Sequence, residues 1–365
     1  MISKRSAGLL GLALVGTIAL SSCAANETGG TDSGDTDTAT GLSGTLDASG
    51  ASSQTAAQEA WVANFQDTNP DVTINYNPTG SGTGREQFQA GAVQFIGSDR
   101  AFNDEELAAG GFAACASDDI VELPLYISPI AIIFNLEGVD SLNLDAATVA
   151  GIFSGQITTW NDPAIADQNA DVELPDTAIS PVHRSDESGT TENFTDYLAA
   201  VAPDVWTNEA SGDWPIASGE AAQGTSGVVS AVNGGNGTIG YADASQAGDL
   251  GTVAIKVGDE YVPYSPEAAA ALVDASAPAE GRGEGDLAIE LDRTITEAGV
   301  YPIALISYLI GCQEYEDTNT ADLVSAYFSY MASTEGQDAA AENAGSAPIS
   351  EDLRGRVETA IELIG

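Results

Sequence analysis

Three short polar loops carry the residues best suited to chemistry. They are Gly50-Ala51-Ser52-Ser53, Gly80-Ser81-Gly82-Thr83-Gly84 and Ser188-Gly189-Thr190-Thr191, and each stands directly before a run with helical character. Small residues let the backbone come close to a ligand, and a helix N-terminus presents unpaired N–H groups with partial positive charge. Hydroxyls add further donors. Plain helix capping accounts for any one such loop, but three in one chain point to a bound oxyanion. Arg184 precedes Ser188 by four residues, near enough to aim a guanidinium at whatever those donors hold, and Asp186 between them can fix its fork. Asp99, in Phe95-Ile96-Gly97-Ser98-Asp99, would repel an oxyanion unless the ligand carries a proton; its carboxylate would then accept that hydrogen bond. A helix N-cap, or a pair with Arg100, is the plainer role for Asp99.

Other chemistries fit less well. His183 is the sole histidine and Ser188 lies five residues on, so a serine hydrolase of phosphate esters stands as an alternative. No G-x-S-x-G elbow surrounds that serine, and triad geometry is spatial rather than sequential; a strand or loop position beside Arg184 is the simpler reading of His183. One histidine and no paired cysteine spacing argue against zinc. Gly80 to Gly84 is followed by Arg85 rather than the Lys-Ser/Thr pair of a P-loop. Asp32, Asp35 and Asp37 fall short of a calcium loop. No metal and no cofactor are expected.

The chain has 365 residues, with 55 Asp plus Glu against 10 Lys plus Arg, for a net charge of −45. Charged residues are still only 18%, so the imbalance reflects missing bases, and 43% hydrophobic residues is ordinary for a globular protein. Sequence-independent nucleic-acid binding needs Lys and Arg on phosphates, which this composition lacks. The same field repels small anions at long range, so an anion site here must work through local donors.

The N-terminus reads as an export signal. Lys4 and Arg5 precede an apolar stretch from Ala7 to Leu20, too short for a membrane span. Leu20-Ser21-Ser22-Cys23 resembles the lipobox of bacterial lipoproteins, which implies cleavage before Cys23 and a lipid (palmitate among its acyl chains) on that residue. An ordinary signal ending at a chance cysteine is the alternative. Residues 1–22 are thus the signal and 23–41, rich in Gly, Thr, Ser and Asp, a flexible tether. Cys115 and Cys312 remain. An oxidising compartment permits one disulfide between them, with two free buried thiols as the other possibility.

From Leu42 onward, strand-like and helix-like runs alternate. Val72 to Tyr76, Ile120 to Leu125 and Ile130 to Phe134 have strand patterns. Ala56, Ala57, Ala60, Trp61 and Phe65 mark a helix, as do Phe194, Tyr197 and Leu198, and later Leu353, Val357 and Ile361. This alternation predicts an α/β class with mostly parallel sheets. The folded length exceeds one comfortable core, so two domains are expected.

In order and spacing these segments resemble the phosphate-binding protein of the bacterial phosphate ABC importer. The likeness rests on the Gly50 to Ser53 loop followed by Trp61, on Thr79 to Gly84, on Gly97-Ser98-Asp99, and on Ile152-Phe153-Ser154-Gly155-Gln156-Ile157-Thr158-Thr159-Trp160-Asn161-Asp162. Arg184-Ser185-Asp186-Glu187-Ser188-Gly189-Thr190 and Gly237-Thr238-Ile239-Gly240-Tyr241 complete it. The resemblance implies a two-lobe Venus-flytrap fold of the type II periplasmic-binding-protein kind, crossed twice by the chain. Lobe one would comprise 42–133 and 308–365, lobe two 134–307, and lobe one would then hold both Cys115 and Cys312. It further implies a non-enzymatic, extracytoplasmic, lipid-anchored monomer that hands inorganic phosphate to ABC permease subunits. Other oxyanions, sulfate or molybdate, are the alternative ligands. Carried over by position, the phosphate ligands would be Ser52, Ser53, Ser81, Asp99, Arg184, Ser188, Gly189 and Thr190, with Asp186 holding Arg184. Two departures stand out. Ser52-Ser53 replaces the frequent Thr-Phe, and Glu187 replaces a common Gly, its side chain expected to point outward.

Overall fold

The computed structural model describes residues 41–365; the expected export signal, Cys23 and the expected tether up to residue 40 lie outside the described residues. The first part of the chain alternates strand and helix: β1 (Gly44–Gly50), α1 (Thr55–Thr68), β2 (Val72–Asn77), α2 (Ser81–Gln89), β3 (Phe95–Ser98) and α3 (Asp104–Ala109). Then comes β4 (Ile120–Asn135), which is buried along nearly its whole length. The middle part contains β5 (Ser141–Leu144), α4 (Ala146–Phe153), α5 (Pro163–Ala166), β6 (Ser180–Arg184), α6 (Gly189–Val201), β7 (Glu220–Ala222), α7 (Gly224–Gly234), β8 (Thr238–Asp243), β9 (Gly251–Val257), β10 (Glu260–Val262) and α8 (Pro266–Asp274). An arm with the short strands β11 (Ala277–Pro278) and β12 (Ile289–Glu290) leads to β13 (Ala304–Cys312). The chain ends in α9 (Thr318–Ala332), α10 (Thr334–Ala344) and α11 (Glu351–Ile361).

The two expected strands around Ile120 and Ile130 are one. β4 runs on through Pro124 and Pro129 and changes partner along its length: residues 120–129 pair with β13, and 130–135 pair with β8. Proline removes a ladder donor, and Pro124 lies beside the register shift of β13 at Ser307/Tyr308. One half of the sheet is ordered β2-β1-β3-β13-β4; the other joins β4 to β8, β6 and β7, with β9, β5 and β10 at its side. These are the two lobes of a Venus-flytrap fold. The expected mostly parallel sheets are in fact mixed. β1–β2, β1–β3, β5–β9, β6–β7 and β6–β8 are parallel, while β4 and β13 run against their neighbours. A strand shared between lobes meets each lobe from outside its βαβ order, so it need not follow the parallel rule.

Helix faces and loop motifs divide between packing and the cleft. Trp61 of α1 is wholly buried, its indole N–H donating to Gly336 O at 2.7 Å. Trp160 tilts against Phe134 and donates to Gly237 O at 3.1 Å, so two of the sequence blocks exist to pack one another. Gly237 has φ +87°, and a Cβ there would lie 2.4 Å from Ala178 O, which requires glycine. Leu353, Val357 and Ile361 form the buried stripe of α11. Cys115 and Cys312 form a disulfide, with Cα atoms 5.2 Å apart, joining the loop after α3 to the end of β13.

Candidate functional site

Asp99, at the end of β3, is the point where the lobes meet. Ser53 Oγ donates to its Oδ1 at 2.5 Å, Ser307 Oγ to the same oxygen at 2.6 Å, and Thr190 Oγ1 to Oδ2 at 2.7 Å. Ser307 lies on β13 and Ser53 just after β1, both of the half-sheet that contains β3, whereas Thr190 comes from α6 after β6 of the other half. The backbone N–H of Asp99 donates to Ser81 Oγ at 3.1 Å. All five residues are buried. Neither of the plainer roles for Asp99 is found. Asn103 caps α3, and Arg100 pairs instead with Glu106 and Glu192. A buried carboxylate that faces only hydroxyls can accept further hydrogen bonds but can donate none while ionised.

The helix starts converge on the same place. α1 and α2 begin without a side-chain cap, so Ser52, Ser53 and Ser81 are released for other partners. Ser52 Oγ lies 3.0 Å from Thr225 Oγ1 and accepts from Thr225 N at 3.0 Å, a second contact between lobes. Ser188 does cap its helix, accepting from Thr191 N at 3.2 Å. Gly189 fits only because it lacks a side chain: a Cβ would stand 2.7 Å from Asp99 Cβ and 3.0 Å from Ser81 Oγ. Gly80, the residue before α2, has φ +101°, and a Cβ on it would lie 2.5 Å from Asp186 Oδ2 and 3.6 Å from Arg184 Nη2. The start of α2 therefore abuts the Arg184–Asp186 pair.

Arg184 ends β6 with its side chain 2% exposed. Its Nε and Nη2 donate to Asp186 Oδ1 and Oδ2 at 2.8 and 2.5 Å, a bidentate fork. Asp186 Oδ1 also accepts from Gly224 N at 3.0 Å. Burial works against the charged carboxyl, but Arg184 prevails and holds Asp186 below the usual carboxylate range. Among the described residues Arg184 Nη1 makes no hydrogen bond, leaving that end of the fork for a ligand. Tyr241 steadies the same corner: its hydroxyl lies 2.7 Å from Thr191 Oγ1, and burial pushes its pKa up to about 12. Cavities of about 380 and 280 Å³ flank the site, one walled by Asp99, Arg100 and Arg293, the other by Ser52, Gly224 and Gln246.

Ser52, Ser53, Ser81, Asp99, Arg184, Asp186, Ser188, Gly189 and Thr190 are thus brought together. Sequence reasoning missed Thr225, Gly224 and Ser307. Gln223-Gly224-Thr225-Ser226-Gly227 is a fourth small polar loop before an apolar helix, legible by the criterion used for the other three. Ser307 had a weaker signal, a lone hydroxyl inside the apolar run of β13. Glu187, expected outward, turns instead to Arg85, whose Nη2 donates to Oε1 at 2.7 Å. His183 stacks on Trp214 at 5.0 Å with its Nδ1 2.8 Å from Arg184 O, so the ring is engaged away from Ser188. The described residues contain no cluster of His, Cys, Asp or Glu able to hold a metal, and no helix among them is long and apolar enough to cross a membrane.

Comparison with known proteins agrees with this geometry. Residues 35–335 match the model of the PBP superfamily domain. The chain is 34% identical over 372 residues to "Phosphate-binding protein PstS 3" of Mycobacterium tuberculosis, covering 99% of each. It is 33% identical over 374 residues to "Phosphate-binding protein PstS 2" of the same organism, again covering 99% of each. Among solved structures, a high-affinity periplasmic phosphate-binding protein with bound phosphate superposes with a TM-score of 0.69 at 23% identity, over 87% of this chain and 93% of that one. A phosphate ABC transporter substrate-binding protein from Clostridium perfringens, described as putative in that structure's own naming, gives 0.59 at 21%, over 84% and 100%. With its cleft of hydroxyls, helix starts and one paired arginine, this chain belongs to the PstS-type phosphate-binding proteins of the PBP superfamily.

Proposed function

We propose that this protein captures inorganic phosphate between its lobes outside the cytoplasm and delivers it to the permease subunits of an ABC importer. The observation that carries this reading is the Asp99 carboxylate, held by Ser53, Ser307 and Thr190 and lying between the lobes, with Arg184, paired to Asp186, as the cation beside it. Ser52 and Ser81 give hydroxyl donors to the phosphate oxygens, and Ser53, Gly189 and Thr190 give backbone N–H donors, the Ser53 and Thr190 hydroxyl protons being held by Asp99. Ser188 contributes by fixing the start of α6. Asp99 accepts the hydrogen bond from the proton that phosphate retains at neutral pH and sulfate lacks. We put the hinge earlier on both strands than the crossings near Phe134 and Ser307 that the resemblance implies, where β4 changes partner between Pro129 and Ile130, facing Ile303, whose carbonyl accepts from Ile130 N at 2.7 Å. Residues 42–129 with 304–365, and 130–303, then move as the two bodies.

Binding by neutral donors explains how an anion can be held in a chain of charge −45. At physiological ionic strength the surrounding field is screened within about 8 Å, whereas the helix starts and Arg184 act in contact. Calorimetry tests the reading: tight phosphate binding without turnover and negligible sulfate binding are expected. Sulfate bound as tightly as phosphate, or hydrolysis of a phosphomonoester, would refute it. The lipid anchor is a separate part of the proposal. Fatty-acid label should follow Cys23, and a C23A protein that stays in the membrane fraction would show that another feature anchors it.

A further inference from the structure

Bases are scarce in this chain, 10 against 55 acids, and two of them are committed to one edge of the cleft. Arg85 of α2 is 4% exposed at its side chain and donates to Glu187 Oε1 at 2.7 Å and to Ser98 Oγ at 2.9 Å. Its Nε lies 3.5 Å from Glu106 Oε1. Glu106 in turn receives Arg100 Nη1 at 2.6 Å and Nη2 at 3.0 Å, and Arg100 Nε reaches Glu192 Oε2 at 2.7 Å. The order is Glu187–Arg85–Glu106–Arg100–Glu192, alternating in sign. Its ends, Glu187 and Glu192, belong to the second lobe; Arg85, Glu106 and Arg100 belong to the first. None of the five is a predicted phosphate ligand.

The seat of Glu187 is shaped for it from both sides. A Cβ on Gly82, in the first lobe, would lie 1.6 Å from Glu187 Oε2, and a Cβ on Gly212, in the second, 2.5 Å from Oε1. Any larger residue at either position would expel the carboxylate. The Gly212 side of the seat lies within the second lobe, whereas the Gly82 side is met only when the lobes are together, because Gly82 belongs to the first lobe.

We propose that Glu187 and Arg85, extended through Glu106 and Arg100 to Glu192, form a latch between the lobes that slows ligand release by holding the closed form. This rests on the phosphate reading for its ligand but not for its geometry. The latch lies beside the anion and touches none of its donors, so it should set residence time and leave selectivity alone. It also gives Glu187, an acid in a position where the family commonly has Gly, a use that offsets its charge near the anion.

The test uses the full chain and E187Q, which keeps the side chain's shape and removes its charge. Phosphate release measured by stopped flow should be about fivefold faster in E187Q, the effect of one partly exposed ion pair, with sulfate still excluded. Raising sodium chloride should speed release from the wild type more than from E187Q, since salt screens the pair that the variant lacks. X-ray scattering of the ligand-free proteins gives a readout that needs no phosphate, and E187Q should be the more expanded. Equal release rates, equal salt responses and equal radii of gyration would overturn the latch while leaving phosphate binding intact. A wild type that gives no heat with phosphate would defeat the phosphate reading, and the scattering comparison would still decide the latch.

Discussion

Replacing Asp99 with Asn tests the chemistry at the centre of the site. In the wild type both carboxylate oxygens are acceptors: Oδ1 takes Ser53 and Ser307, and Oδ2 takes Thr190. Asn is nearly the same size, so the lobes can still close. It has one acceptor oxygen, which the two serines can share as before, and an NH₂ that faces Thr190. The Thr190 hydroxyl must then accept rather than donate, and its own proton is freed toward the cleft. A monohydrogen phosphate loses its charged acceptor, while sulfate loses the carboxylate that repels it. A hydrogen bond to a charged group contributes about 1.5–3 kcal/mol, so the preference for phosphate over sulfate should shrink roughly 10- to 100-fold. The absolute phosphate affinity should fall less, because removing one negative charge partly offsets the lost acceptor. Calorimetric titration with each anion at fixed pH and salt measures both. If D99N excludes sulfate as strictly as the wild type, Asp99 is not the proton acceptor and the reasoning fails.

Three other outcomes follow from particular contacts. Gly189→Ala should weaken phosphate binding at least tenfold while leaving thermal stability near the wild-type value, because alanine suits α6 but its Cβ meets Asp99 at 2.7 Å only when the lobes close; equal affinity by calorimetry would contradict this. Breaking the Cys115–Cys312 disulfide by C312S releases a constraint spanning 197 residues, and denaturant unfolding should show a loss of about 3–5 kcal/mol. The third concerns Asp243, fully buried beside β4 with Tyr126, Ser245 N and Ser245 Oγ all donating to Oδ1. Burial pushes its pKa up to about 6. The folded state thus holds this proton more tightly than the unfolded chain, so the contribution is full below about pH 4 and is lost as pH rises to about 6, by up to about 3 kcal/mol. D243N should flatten that part of the stability curve, and an unchanged difference between pH 4 and 7 would refute it.

Much of the site was legible because its residues betray themselves locally. Ser52, Ser53, Ser81 and Gly189 sit at helix starts, and a small polar loop before an apolar periodic run is a one-dimensional pattern. Thr225 sits in a loop of the same kind and was legible on equal terms. Capping and ligand binding use the same residues, however, so the pattern could not separate them. Only the fold shows that Ser188 caps its helix while Ser53 and Ser81 turn to Asp99. The parallel-sheet expectation went wrong for a related reason: alternation of strand and helix describes each lobe but is silent about strands that join them. β4 looked like two strands because its prolines punctuate an apolar run that the sheet carries through unbroken.

By itself the sequence determined the α/β class, the helix starts able to meet an anion and the pairing of Arg184 with its near neighbour Asp186, since all of these are set within a few residues. Tertiary structure alone decided what spans the cleft. Thr190 joins Asp99 across 91 positions and Thr225 joins Ser52 across 173, and Glu187 finds Arg85 rather than solvent. Such pairs exist only when two lobes close on each other, because the direction of a side chain is set by local backbone whereas its partner is set by topology.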